Sequence, residues 1–303
     1  MTATEGTTAG RMRGARRRCA KLLVTLGLMA MASSPVLAAT KRIASINMCT
    51  DQLLIALADP EQIVGLGPYA RDPRLSWLAT EAERFPALSG EAEDLLVKAP
   101  DVVLAGRYGK RATRELFKAQ NIPLEEFDVP RTIDEVKAQI RRVGDIAGHP
   151  ERSDALIATI ERSVDHAKAA TAHGHRHVLV LSRRGWVSGG DSLISSLLQT
   201  VGLANGASAL GFDYGGFASL EAIVASRPDL LLVAEDQPRA EDQGKALLLH
   251  PAIQQAYPAN RRIVVPDQLT ICGGPMLPVA IDRLTAAIER IERTQGLATA
   301  ERN

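Results

Sequence analysis

Residues Glu93-Asp94-Leu95-Leu96-Val97-Lys98-Ala99-Pro100-Asp101-Val102-Val103-Leu104 return in outline 128 positions later, as Glu221-Ala222-Ile223-Val224-Ala225-Ser226-Arg227-Pro228-Asp229-Leu230-Leu231-Leu232. Both copies hold an acidic residue, an apolar turn of helix, a basic residue, Pro-Asp and then a hydrophobic run. Proline cannot continue a helix and biases its predecessor towards extended backbone. The apolar run that follows, bounded by turn residues, reads as a strand buried on both faces in a parallel sheet. Once, such a unit is ordinary α/β punctuation. Twice, with the acidic residue eight positions before the Asp each time, it predicts two similar α/β lobes, because two units so far apart cannot stack as a solenoid.

Upstream of the first copy the chain opens with an export leader. Arg11, Arg13, Arg16, Arg17, Arg18 and Lys21 form a basic region, Leu22 to Ala32 a short apolar core, and Val36-Leu37-Ala38 a small-residue cleavage site, so cleavage is expected after Ala38. The apolar core is too short to span a bilayer. Arg17-Arg18 leaves twin-arginine export open beside the general route. The whole chain has 36 Lys and Arg against 35 Asp and Glu; the leader holds six basic residues and one acidic, leaving 30 against 34 in the mature chain. A slightly acidic protein has no electrostatic footprint for nucleic acid. Its length suits one large domain or two lobes.

The mature chain reads as alternating strands and helices. Arg42–Asn47 and Ile63–Gly67 are strands around a helix with a Leu53, Leu54, Leu57 stripe, and Val102–Ala105 and Pro123–Phe127 complete a first lobe over 39–131. Thr132-Ile133-Asp134-Glu135 is a capping box that starts a connecting helical segment, 132–170. Gly148-His149-Pro150 interrupts it, and Ser153 to Ala170 continues as a rod about 27 Å long. The second lobe, 171–303, repeats the plan with strands at His177–Leu181, Leu230–Ala234 and Arg262–Val265, a helix at Ser192–Val201 and a closing helix at Val279–Arg293. Gly211–Gly216 is a glycine-rich loop.

Ligands of open parallel α/β sheets bind beyond the carboxyl ends of the strands. In a chain with four Tyr and two Trp, the aromatic and arginine residues placed there stand out: Tyr69, Arg71, Arg107, Tyr108, Arg183, Arg184, Trp186 and Tyr214. Arginine forks take planar anionic oxygens in pairs, and rings stack on flat or cationic surfaces. Singly, each is a solvated loop residue; their shared position predicts a cleft between the lobes for a bulky, partly anionic ligand.

The strand followed by Asn47-Met48-Cys49-Thr50-Asp51, the paired Glu93/Pro100-Asp101 and Glu221/Pro228-Asp229 motifs and the connecting helix resemble the periplasmic substrate-binding proteins of ferric-siderophore and vitamin B12 ABC importers. The resemblance covers nearly the whole mature chain. It implies two α/β lobes joined by a long rigid helix, a metal chelate or corrinoid in the cleft, and no catalysis or resident cofactor. It also implies a monomer in the periplasm that hands its ligand to permease subunits, with Glu93 and Glu221 as the docking carboxylates. The cleft would draw on Met48, Cys49, Asp236 and Cys272 besides the aromatic and arginine residues above. An arginine-bearing cleft suits an anionic ferric siderophore better than a weakly charged corrinoid, with cobalamin and tyrosine-ligated heme as alternatives.

Competing motifs are weaker. Gly65-Leu66-Gly67-Pro68-Tyr69-Ala70 loosely matches a dinucleotide fingerprint, but Pro68 removes an N–H that could face phosphate. Gly109-Lys110-Arg111 lacks the spacing and hydroxyl of a phosphate loop, and no nucleophile elbow occurs. His173-Gly174-His175-Arg176-His177 enters a strand at its amino end, away from a cleft. Asp51, Asp213 and Asp236 could form a carboxylate cluster, so an exported two-lobe hydrolase or lyase stays as the alternative of another class. Cys49 and Cys272, the two cysteines outside the leader, each follow a strand. Pairing needs Cα atoms within about 7 Å, a short reach across an open cleft. Unpaired thiols near the cleft floor are therefore expected, with a disulfide and contact to a metal complex as the alternatives.

Overall fold

The computed structural model describes residues 40–170, 176–234 and 246–300. The leader read at residues 1–38, His173 to His175 and Asp236 lie outside them. The repeated stretch takes one shape twice. Each helix ends on a non-glycine residue in the left-handed region, Ala99 (φ 44°) and Arg227 (φ 45°), a conformation that usually falls to glycine. Each following Asp then ties its strand to the neighbouring one. Asp101 accepts from the Arg42 N–H (2.7 Å) and donates its own N–H to the Arg42 carbonyl (2.8 Å). Asp229 does the same with His177, at 2.8 and 2.9 Å. The Pro-Asp pair is thus a strand-start clamp, satisfying backbone groups that the sheet leaves open.

In the first lobe β1 (Ile43–Ser45), α1 (Met48–Leu57), β2 (Ile63–Gly65), α2 (Ala79–Ala82), α3 (Ala92–Lys98), β3 (Val102–Gly106), α4 (Arg111–Ala119) and β4 (Leu124–Phe127) follow in order. The strands pair in parallel in the order β2-β1-β3-β4. The Asn47 side chain caps α1 by accepting from the Cys49 and Thr50 N–H groups, and Leu53, Leu54 and Leu57 are wholly buried. Burying a leucine is worth about 1.5–3 kcal/mol, so this stripe is what seats α1 on the core.

Thr132 caps α5 (Ile133–Ala147), Gly148 ends it in the left-handed region (φ 80°), and α6 (Pro150–Ala170) returns along it. The 21 residues of α6 make a rod of about 32 Å. The Ser153 hydroxyl donates to the Ile140 carbonyl and Lys137 pairs with Glu161, so the two helices run antiparallel. Near the start of α6, Arg152 and His149 both hold Asp59 of the first lobe.

The second lobe has β5 (Arg176–Val180), β6 (Trp186–Ser188), α7 (Leu193–Thr200), β7 (Leu203–Asn205), β8 (Gly215–Phe217), α8 (Leu220–Ser226), β9 (Leu230–Val233), α9 (Pro251–Ala256), β10 (Arg262–Val264) and α10 (Leu277–Ala300). Four strands pair in parallel in the order β10-β9-β5-β7, and β6 and β8 form a small antiparallel ribbon at the sheet's carboxyl edge. Two lobes with parallel sheets joined by helices match the expectation from sequence. No helix among the described residues is long and apolar enough to cross a membrane.

The cysteines correct an expectation. Cys49 and Cys272 are joined in a disulfide with Cα atoms 5.2 Å apart. The loop carrying Cys272 leaves its own sheet and packs on α1 of the first lobe and on α5 of the connecting segment. A Cβ on Gly273 would lie 2.2 Å from Val136, and one on Gly274 3.1 Å from Leu53. Two glycines without side chains let the backbone approach α1 and α5 closely. The thiols therefore meet at a packed junction instead of facing each other across an open space.

Candidate ligand-binding cleft

The carboxyl edges of the two sheets carry an unusual set of exposed rings. Tyr69, Tyr108, Tyr214 and Phe217 are 59–76% exposed and Trp186 38%. Tyr69 follows β2 and Tyr108 follows β3, while Trp186, Tyr214 and Phe217 belong to the β6–β8 ribbon and the turn before it. Trp186 and Phe217 meet edge to face with centroids 5.1 Å apart. Gly215 (φ 143°) makes that ribbon possible, since a Cβ there would come within 2.7 Å of the Trp186 ring. Large exposed rings cost solubility and are kept where a flat apolar surface is to be covered.

Two of these rings line hollows, Tyr108 one and Trp186 another. One, of about 510 Å³, opens beside β4 and α5 and is lined by Arg107, Tyr108, Phe127, Asp128, Val129, Arg131, Gln139 and Arg142 among others. The second, of about 290 Å³, lies at the ends of β5 and β9 and is lined by Ser182, Trp186, Ile194, Thr270 and Ile271 among others. Arg107 pairs with Asp128 at 3.1 Å and Arg142 with Glu125. Arg142 also lies 4.5 Å from the centroid of the Phe127 ring. Arg131 reaches the second lobe, pairing with Asp191 at 2.6 Å.

The residues expected at the cleft divide. Arg107 and Tyr108 line the larger hollow, Trp186 the smaller, and Tyr214 lies over the Arg131 guanidinium at 5.3 Å. Arg183 and Arg184 are exposed on the turn between β5 and β6, Arg184 with a left-handed backbone (φ 59°). Met48 is partly buried and packs on the core at the start of α1. Arg71 needs correction: its guanidinium donates to the carbonyls of Ala82, Glu83 and Phe85, so it closes the chain end of α2 and is committed within its lobe. Cys49 and Cys272 are a structural bridge with no free thiol to offer a metal. Phe217, Arg131, Asp191 and Ile271 escape a sequence reading. Phe217 could have been found, as a rare aromatic next to Gly215-Gly216.

The proposed carboxylate cluster does not form as a unit. Asp51 is wholly buried in the first lobe, whereas Asp213 is exposed in the second. The Asp51 Oδ1 accepts from the Gly67 N–H at 3.2 Å, and Oδ2 has no hydrogen-bond partner. Burial pushes its pKa up to about 7, against the opposing pull of Ser45 and Gly67. Gly67 begins the turn that carries Tyr69, so this carboxyl anchors the loop and stands clear of solvent. Among the described residues no group of three or more His, Cys, Asp or Glu is placed to hold a metal ion.

A family model described as periplasmic binding protein matches residues 43–269. The chain belongs to that family, of the iron and vitamin B12 type. Proteins of this family bind small ligands and work with the permeases of ABC importers. Among solved structures, this binding protein is similar to the periplasmic heme-binding protein RhuT from Roseiflexus sp. RS-1 in apo form. That match has 27% identity, covers 83% of this chain and 99% of that one, and has a TM-score of 0.68. It is similar also to the periplasmic heme-binding protein BhuT in complex with two hemes, at 26% identity, 82% and 98% coverage and a TM-score of 0.62. A periplasmic heme binding protein from Pseudomonas aeruginosa, 22% identical over 82% of this chain and 92% of that one with a TM-score of 0.64, speaks to the fold alone. No curated protein matches the sequence.

Glu93 and Glu221, the two acidic residues of the repeated motif, are both exposed in the first turn of α3 and α8. The Glu221 carboxyl is held below the usual carboxylate range by its own backbone N–H and by the Ser219 hydroxyl. A helix N-terminus favours an anion on its own account, which is reason enough for a carboxylate in each place. Their equivalence in the two lobes comes from the internal repeat.

Proposed function

We infer that this binding protein captures heme in the periplasm and presents it to an ABC importer, with Glu93 and Glu221 as the contacts to the permease. One observation carries this choice: five exposed rings stand at the carboxyl edges of the sheets, where Tyr108 lines a hollow with Arg107, Arg131 and Arg142 and Tyr214 lies against Arg131. A porphyrin is a flat apolar plate with acidic side arms. Rings suit the plate and guanidinium forks suit the arms. A phenolate can also ligate ferric iron in heme, and Tyr69, Tyr108 and Tyr214 are the exposed tyrosines available. Two solved structures more than 25% identical to this chain are both named as heme-binding proteins, which favours heme over the anionic siderophore that arginines alone would suggest. The chain acts by stoichiometric binding, as a monomer freed of its leader near Ala38.

Titration with ferric heme, following its Soret band and the quenching of Trp186, tests this. Saturation at a fixed stoichiometry, undisturbed by excess ferric trihydroxamate or cyanocobalamin, is expected. Saturable binding of either competitor with none of heme would replace the heme assignment by another ligand of the family.

A further inference from the structure

Arg131 stands where β4 hands the chain to α5, on the rim of the larger hollow. Its backbone is fixed, because its N–H donates to the Glu135 carboxylate at 2.6 Å and Thr132 caps the helix that follows. Its side chain differs from its neighbours. Arg107 and Arg142 find their carboxylates on the first lobe, at Asp128 and Glu125. Arg131 instead crosses to Asp191 of the second lobe, and its guanidinium lies against Tyr214.

The receiving side is one knot of backbone. The Asp191 N–H donates to the Asp213 carbonyl at 2.7 Å, and the Gly189 N–H to the Tyr214 carbonyl at 3.2 Å. Asp191 and Tyr214 are therefore tied to each other through backbone, and Arg131 joins both to the first lobe. Both members of the pair are about half exposed, 48% and 40% for Arg131 and Asp191. A water-accessible pair of this kind is weak and exchanges partners readily. Asp191 offers Arg131 one oxygen, Oδ2 at 2.6 Å, whereas a carboxylate entering the hollow can present both of its oxygens to the guanidinium.

We propose that Arg131 is the residue that takes a carboxylate of the ligand, and that Asp191 holds its place until the ligand arrives, so that the Arg131–Asp191 pair is a latch between the lobes exchanged on binding. This rests on heme as ligand, because heme carries propionate carboxylates. It assigns a specificity role: ligands with a free carboxylate open the latch, and uncharged analogues must bind with it shut.

Two measurements test it. Without ligand, Asp191→Asn should speed amide hydrogen exchange over residues 211–217 several-fold, since the turn loses its tie to the first lobe. With ligand, heme is compared with its dimethyl ester. Arg131→Ala should weaken heme about tenfold, the scale of a charged hydrogen bond, and the ester much less. Asp191→Asn should tighten heme about two- to fivefold, the scale of an exposed ion pair, by removing the competitor. Unchanged exchange at 211–217 overturns the latch, whatever the ligand is. Equal losses for heme and ester in Arg131→Ala overturn the carboxylate contact, and weaker heme binding in Asp191→Asn would make Asp191 a support for Arg131 and not its competitor. If neither porphyrin binds the wild-type protein, the heme assignment falls; ferric citrate then replaces heme as the carboxylate probe, and failure of Arg131→Ala to weaken it overturns the contact.

Discussion

Breaking the Cys49–Cys272 bridge should cost this protein much of its stability. The bond closes a loop of 223 residues. In the chain-entropy treatment, releasing a loop of that size frees about 5 kcal/mol of disorder in the unfolded chain at 25 °C. Native-state changes offset little of it, because the Cys272 loop stays packed on Val136 and Leu53 whether or not the sulfurs are joined. A loss of about 2–5 kcal/mol is therefore expected for Cys49→Ala with Cys272→Ala. Alanine is the better choice, since Cys272 is wholly buried and a serine hydroxyl there would need a partner. Urea unfolding of the oxidised protein, the reduced protein and the double variant gives the answer. The latter two should unfold together at a clearly lower urea concentration. Coincident transitions for all three, or two free thiols with no 49–272 linked peptide under non-reducing conditions, would show the reasoning wrong.

Two further perturbations bear on the buried carboxyl and on the docking face. Asp51 has a folded pKa of about 7, above its ordinary value of 3.8, so stability held in acid is lost as pH rises between those values. About 2–3 kcal/mol should go between pH 5 and pH 8. Asp51→Asn keeps the acceptor for the Gly67 N–H and should flatten that slope in urea melts; an unchanged slope would mean another group is titrating. Glu93→Ala with Glu221→Ala should cut importer-driven uptake into vesicles at least several-fold while leaving heme affinity within about twofold, as both residues lie outside the hollows. Normal transport by the double variant would remove them from the docking face.

What the amino-acid order determined by itself was the architecture. Proline after a helical turn, an Asp that clamps the next strand, Asn47, Thr132 and Ser192 as helix caps, and a leucine stripe on α1 all act within a few residues. Their consequences can be read in place, and their recurrence at Glu93 and Glu221 is enough to announce two lobes. The positions of Tyr69, Tyr108, Trp186 and Tyr214 at strand ends followed from the same local logic. Their partners did not. Cys49 meets Cys272 because a loop of the second lobe, freed of side chains at Gly273 and Gly274, settles on α1 and α5. Arg131 meets Asp191, 60 residues on, only because the lobes are brought edge to edge. Arg71, which looks from its loop like a ligand contact, turns inward to three carbonyls left open near α2. Asp51 reads as a polar residue in a helix's first turn until packing closes over it and leaves one oxygen without a partner. Hydrogen bonds, ion pairs and disulfides are short-ranged in space and indifferent to separation along the chain, so which groups they join was settled by the packing of the two lobes.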